Sequence, residues 1–417
     1  MMERWELPKG WEWKKVGEVA QDTERRNPSL RPDESFSYVD IAAIDNKNYC
    51  IRLECVKKIK GKDAPSRARK VIHANDVIFA TTRPYLKNIA IVPQALDNQI
   101  CSTGFCVLRA KPGMAIPKYL FFAVLTNSFI HQLTPKGANY PAVNDSDIYQ
   151  AIIPIPYSDD PARSLAEQRR IVARLELLLG ETRAMREDIQ AMRRDLAQVM
   201  ESVLAEVFPN PNGEMPRGWG WRRLGDIAPE DSQQIFPTDY PEHLFNYWGL
   251  DATEKGQIDE PAPNFVAGSS IKSTCIKFTS EHVLYCKLRP YLNKVIVPSS
   301  EGIGSTEWVP LRPNPEIIER KFLAFALRTP QFVQYATSNV AGARMPRMSK
   351  RALEETKIPI PYPDDPACSL AEQRRIVAYL EHIAEEIRAM DDVLAQDLRD
   401  IEVLEQSILA AAFRGEV

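Results

Sequence analysis

Apolar residues return with a helical period in two stretches of the chain. Ile171, Leu175, Leu178, Thr182, Met185, Ile189, Met192, Leu196, Val199 and Val203 follow one another at alternating spacings of four and three. Ile376, Leu380, Ile383, Ile387, Met390, Leu394, Ile401, Leu404 and Ile408 keep the same rhythm, with Asp397 in one seam place and Leu398 beside it. This spacing fills one face of a helix and predicts two helices of about 44 residues, roughly 66 Å long at 1.5 Å per residue. A stripe of that length outruns any one small domain, so each helix needs a partner along it. The two stripes match in length, and an intramolecular antiparallel coiled coil buries both, with the globular segments at its opposite ends. Ser164 with Glu167, and Ser369 with Glu372, have capping-box spacing and predict helix starts at the two serines.

Outside these helices the period shortens. VIFATT (77–82), NIAIVP (88–93) and HVLYCKL (282–288) are rich in β-branched and aromatic residues, with helical stretches near 117–133 and 318–335. The expected class is mixed α/β. Residues 153–176 and 358–381 share 21 of 24 positions in the pattern IPIPYxDDPAxSLAEQRRIVAxLE. Upstream, GWEWKKVGEVA (10–20) answers GWGWRRLGDIA (218–228), and RPYLKNIAIVP (83–93) answers RPYLNKVIVP (289–298). CSTGFCVLR (101–109) answers GSTEWVPLR (304–312), and KYLFFAVLT (118–126) answers KFLAFALRT (321–329). The chain therefore reads as a pseudo-twofold tandem repeat, broken by the turn-forming FPNPNGEMPRGWGW (208–221). The expected layout is two globular domains, 1–158 and 209–363, each followed by a spacer helix, 159–208 and 364–417.

A chain of 417 residues with 44% hydrophobic content can bury more than one core. It contains no run of 18 apolar residues, which argues against a membrane span, and MMERWELPKG lacks the basic and apolar regions of a signal peptide. A cytoplasmic location is expected. The seven cysteines include no CxxC and read as reduced thiols. Cys101 and Cys106 are answered by Gly304 and Val309, so no metal site common to both halves is expected. The net charge of -3 conceals segregation: residues 52–70 carry eight Lys or Arg against two acids, and 381–405 hold nine acids against two arginines.

The SLAEQRRIV helix openings, the GW(E/G)W segments, the RPYL and (C/G)STxxxxLR elements and the GAxxP stretches (GANYP, 137–141; GARMP, 342–346) recur in one order. Together they resemble the specificity subunit of type I restriction-modification systems, over essentially the whole chain. The resemblance implies that each variable half is a target recognition domain reading one part of a bipartite, asymmetric site in double-stranded DNA. It implies that the two shared helices pair antiparallel as a spacer. Methylation subunits, two in number, would dock on that scaffold and restriction subunits would join through them, with no cofactor held by this chain. The repeated text is then a shared ruler, and the divergent text reads two sequences. DNA presents equivalent groove faces about every 34 Å, so separated heads can read half-sites while the bases between go unread.

Three places offer DNA contacts. Lys57, Lys58, Lys60, Lys62, Arg67 and Arg69 lie in KKIKGKDAPSRARK (57–70), which ends on Lys70 and can neutralise phosphates. Arg83, Tyr85 and Lys87 in TTRPYLKN, and Arg289, Tyr291 and Lys294 in KLRPYLNK, belong to a motif common to both halves, which suits scaffold or backbone contact. KGANYP with Asn139 and Tyr140, and AGARMPRMSKR with Arg344, Arg347 and Lys350, share a glycine turn yet differ at their tips. Asn pairs with adenine and Arg with guanine, so these loops are the candidates for base reading. Arg169, Arg170, Arg374 and Arg375 fall in the identical helix openings and suit a protein interface, or pairing with glutamates one turn away.

The sequence carries no Gly-rich phosphate loop, no glycine-rich cofactor turn and no NPPY-like element, and its five histidines fall in no metal or triad spacing. Methylation, cleavage and ATP use are therefore assigned to partners. A self-contained methyltransferase and nuclease is the first alternative, and a coiled-coil adaptor that binds only proteins is the second. Sequence-selective retention of duplex DNA separates the adaptor from the DNA reader.

Overall fold

The computed structural model describes residues 5–253, 260–342 and 344–416; Ala343 of the GARMP stretch and the first four residues lie outside them. The chain forms two compact units, Met1–Ile189 with Gln396–Val417 (unit 1) and Gln190–Ala395 (unit 2).

In both units the segment that opens the globular head pairs with the one that closes it. Trp11–Lys15 runs antiparallel to Ile152–Pro156, Trp11 opposite Pro156 and Trp13 opposite Pro154. Trp219–Arg223 and Lys357–Pro361 repeat this, Trp219 opposite Pro361 and Trp221 opposite Pro359. Prolines at every second position remove N–H groups from one strand edge only, which a two-stranded ribbon tolerates. Gly10 and Gly218 precede the ribbons at φ +89° and +87°, and a Cβ on either would come within 2.8 Å of the ring of Tyr157 or Tyr362. Glycine is required there on both counts.

Beside its ribbon, each head holds two larger sheets among the described residues. In unit 1 one sheet is ordered Lys57–Lys60, Ser35–Val39, Gln99–Ser102, Ala68–Ile72, with a parallel pairing between its two central strands. The other is ordered Ala20–Gln21, Phe105–Ala110, Val77–Ala80, Ile89–Ile91. Val77–Ala80 shows why a short apolar run becomes a strand. Val77 and Phe79 enter one core with Tyr119, Leu120, Ile171, Leu175, Leu409 and Phe413, while Ile78 and Ala80 enter another with Val39, Ile72 and Val107. Both faces are covered, so every residue of the strand is apolar. Unit 2 repeats the device: Val283 and Tyr285 pack with Phe322, Leu204 and Leu380, and Leu284 and Cys286 with Trp248 and Trp308.

The long helices span Pro161–Val207 and Pro366–Arg414, three residues ahead of the expected serines. Asp160 accepts from Arg163 N at 3.0 Å and Asp365 from Cys368 N at 3.1 Å, and each is followed by a proline. Proline suits the first helical position, where its φ is preset and no N–H is needed. The capping-box expectation is thereby corrected. Ser164 and Ser369 are buried, and their Oγ atoms accept from Gln168 and Gln373 at 3.1 and 3.0 Å. Those glutamines fasten the helix to its head. Gln168 accepts from Ile116 N and donates to Met114 O, both at 3.0 Å; Gln373 does the same with Glu319 N (2.9 Å) and Ile317 O (3.0 Å).

Within each unit the helices pair antiparallel. In unit 1 Thr182 Oγ1 lies 3.0 Å from Glu405 Oε1 and Arg186 meets Glu405 at 2.8 Å, while Ile171 and Leu175 share a core with Leu409, Ala412 and Phe413. In unit 2 Arg193 meets Asp391, while Leu204 and Phe208 share a core with Ile376 and Leu380. The buried stripe departs from the expected heptad. Met185, Met192, Val199, Met390 and Leu404 are between 39% and 55% exposed. The neighbouring positions Arg186, Arg193, Asp391 and Glu405 take the seam instead, because long arginine stems lie along apolar surface while their guanidinium groups reach an acid on the facing helix. Asp397 is exposed and Leu398 half-buried, as the second series required. No helix among the described residues is long and apolar enough to cross a membrane.

Candidate nucleic-acid interface

The two RPYL segments fold alike. Pro84–Leu86 is a single tight turn flanked by Arg83 and Lys87, both at φ +50°, and Pro290–Leu292 is flanked by Arg289 at +50° and Asn293 at +48°. Left-handed backbone at a non-glycine residue costs on the order of 1 kcal/mol and persists where neighbours hold it. The neighbour is the same in both units. Arg83 N donates to Pro141 O at 2.7 Å and Arg289 N to Pro346 O at 2.8 Å, with bridges from Thr82 to Ala142 and from Leu288 to Arg347. Each RPYL turn is thus laid against the GAxxP stretch of its own unit, two candidates separated by more than fifty residues of sequence.

Their exposed residues differ. In unit 1 the Arg83 guanidinium stands 5.0 Å from the centre of the Tyr140 ring, its Nη2 donates to Asn139 O at 3.4 Å, and Tyr85, Asn139 and Tyr140 are exposed. In unit 2 Arg289, Tyr291, Arg344 and Met345 are exposed. Other cations of the same segments are engaged within their own unit. Arg347 makes a forked contact with Glu307, Nε at 2.9 Å and Nη2 at 2.6 Å from Oε1, and Lys294 Nζ donates to Leu250 O at 2.6 Å. Lys87 Nζ donates to Asn127 Oδ1 at 2.8 Å and Gln406 Oε1 at 2.9 Å, and burial pushes its amine down to about 8. Lys350, exposed at the start of a short helix, pairs with Glu230 at 3.0 Å.

The basic stretch lies on a sheet edge. Lys57, Lys58 and Lys60 are exposed on the outermost strand, with Ile59 half-buried, and Lys62 and Arg67 are exposed beyond it. Arg69 donates to Ala68 O at 2.7 Å. Lys70 leaves this surface altogether: it is buried, donates to Phe105 O at 2.6 Å and pairs with Asp145. Sequence comparison missed the counterpart of this edge. In unit 2 the strand beside Leu244–Trp248 is Phe265–Ala267, so aromatic surface replaces lysines. Phe265 and Tyr240 are exposed there, His243 and Phe245 stack edge to face at 4.4 Å, and the recess they line is about 790 Å³. No shared words marked this edge, and only its place beside matching strands reveals it.

On the helix openings Arg170 pairs with Glu167 at 2.8 Å and Arg375 with Glu372 at 2.7 Å, while Arg169 and Arg374 are exposed. Among the described residues no group of His, Cys, Asp or Glu is placed to hold a metal ion.

Comparison with known proteins places this architecture. The family model for the type I restriction modification DNA specificity domain matches residues 8–191. A crystal structure of the HsdS subunit from Thermoanaerobacter tengcongensis is 37% identical, with a TM-score of 0.57, over 100% of this chain and 99% of that one. A structure solved for complex assembly and conformational transition of the type I R-M system is 36% identical, with a TM-score of 0.76, over 99% of this chain and 100% of that one. The EcoDI specificity subunit of Escherichia coli is 23% identical over 311 residues, so this chain spans 66% of that subunit's length, just under two thirds. With two repeated heads, two long helices and full-length likeness to HsdS, the chain belongs to the specificity subunits of type I restriction-modification systems.

Proposed function

We propose that the chain is the non-catalytic subunit that recognises double-stranded DNA for a type I complex, with residues 1–158 and 209–363 as its two target recognition domains. One observation carries this. The same strained turn, anchored to the same neighbouring stretch, presents Asn139 and Tyr140 beside Arg83 in one unit and Arg344 and Met345 beside Arg289 in the other. A common frame with unlike tips is what reading two different half-sites requires.

Asn139 is suited to an adenine edge and Arg344 to a guanine edge. Arg83, Tyr85, Arg289 and Tyr291 are shared and serve sequence-independent contact with the backbone. Lys57, Lys58, Lys60, Lys62 and Arg67 neutralise phosphates. The helices at 159–208 and 364–417 carry the methylation subunits, one for each unit, and the restriction subunits through them. Arg169, Arg170, Arg374, Arg375 and the exposed Met185, Met192 and Met390 belong to that protein interface.

Sequencing of methylated sites in DNA modified by the assembled complex tests the reading. The expected result is two unlike half-sites at a constant separation. A single uninterrupted site, or methylation without sequence preference, would overturn it.

A further inference from the structure

Lys87 closes the RPYL turn of unit 1 and turns its amine inward. Its donors go to Asn127 Oδ1 at 2.8 Å and to Gln406 Oε1 at 2.9 Å. Gln406 lies on the second long helix, and the adjacent Glu405 contacts Thr182 and Arg186 of the first. A run of polar contacts therefore leads from the turn that bears Arg83 and Tyr85 into the helix pair. In unit 2 the corresponding place is Asn293, whose Nδ2 donates to the Arg328 carbonyl at 3.1 Å. An ammonium has three donors, and Lys87 commits two of them to amide oxygens of its own unit. Lys58 and Lys60, by contrast, stand exposed.

We infer that Lys87, Asn127 and Gln406 are positioning residues for DNA binding, which hold the RPYL turn of unit 1 in the shape that presents Arg83 and Tyr85, and that Lys87 itself contacts no phosphate. The inference rests on the reading of the chain as a DNA-recognition subunit. It makes the helix around Gln406 part of the DNA-binding apparatus: a partner that moves the helix there changes DNA affinity through the turn.

The test uses the chain assembled with its partner subunits and duplex DNA carrying the site that this complex methylates. Binding across a salt series yields an affinity and the slope of log K against log salt concentration. Site-selective binding by the wild type is the check on the DNA-recognition reading, and its absence would remove that reading and this inference together. Lys87→Met and Gln406→Leu are each expected to weaken binding roughly tenfold with the slope unchanged, because a tie is lost and no phosphate contact. Gln406→Glu, which offers Lys87 an ionic partner, is expected to recover the affinity that Gln406→Leu loses. With wild-type binding intact, a Lys87→Met slope reduced by about 0.9, the signature of one lost phosphate contact, overturns the inference. So does a Gln406→Leu complex that binds as tightly as the wild type.

Discussion

Arg193 grips Asp391 through two parallel hydrogen bonds, Nε to Oδ1 at 2.7 Å and Nη2 to Oδ2 at 2.8 Å. The arginine beside it holds the Asp391 carboxyl below the usual carboxylate range. Both side chains remain partly open to water, 38% and 44% exposed, which limits the pair to roughly 0.2–1 kcal/mol. Leu196, one turn away and buried, is a different matter, since its truncation leaves a cavity worth about 2–5 kcal/mol. Thermal unfolding of the full chain is expected to show a small loss for Asp391→Asn that disappears in concentrated salt, and a large loss for Leu196→Ala that does not. An Asp391→Asn loss as large as that of Leu196→Ala would refute this ranking.

The buried amides at the helix openings make a stronger prediction. Gln168 satisfies Ile116 N–H and Met114 C=O at once, and Gln373 does the same for Glu319 and Ile317. Replacing either by leucine fills the volume but strands a backbone donor and acceptor, each costing about 1–3 kcal/mol. Gln168→Leu and Gln373→Leu are therefore expected to lower the unfolding temperature far more than Glu167→Ala, which removes only a surface ion pair. Equal effects from the three variants would show that the amides are not what fastens helix to head.

Much of this was legible in the sequence for physical reasons. The helical stripes, the apolar runs and the doubled motifs follow from periodicities of 3.6 and 2, which burial imposes on any sequence. The exact seam was not legible, because Met185 and Arg186 are adjacent and both can lie along a neighbouring helix; only the acid opposite decides between them. The helix starts were missed because SxxE is a cap signal only when the helix begins at the serine, and DDP supplies a better start three residues earlier. Among the candidate contacts, charge alone could not separate Lys58, which faces water, from Lys70, which is buried against Asp145. The aromatic edge at Phe265 escaped notice because no shared words align it with Lys57–Lys60.

The lysine edge of unit 1 and the loop tips are expected to give opposite signatures in DNA binding. Lys57, Lys58 and Lys60 lie on one exposed strand, and in the proposed function they act through charge. Replacing each by glutamine in the assembled complex is expected to reduce the salt slope by about 0.9 and to weaken binding alike on all sequences. Arg344→Ala is expected to leave more of the slope intact and to relax selectivity at one base position by about 1–3 kcal/mol. Salt-series binding on matched and singly altered sites reads both quantities. A lysine variant that changed sequence preference, or an Arg344 variant that changed none, would exchange their assigned roles.

The amine that ties the RPYL turn of unit 1 leaves a mark on stability against pH. Burial pushes Lys87 from the ordinary 10.5 down to about 8, and its two partners, Asn127 and Gln406, are amides with no charge to hold the proton. Between those values the unfolded chain binds more protons than the folded one, so stability rises as pH climbs from about 8 towards 10.5 and falls back as pH drops through 8. Unfolding temperatures measured across that window are expected to rise more steeply in the wild type than in Lys87→Met, which has no proton to lose there. Gln406→Glu, by supplying a counter-charge, should raise the amine's pKa and flatten the wild-type rise. Identical pH profiles for the three proteins would mean that Lys87 keeps its proton through water, and that the contact with Gln406 is too loose to hold the turn.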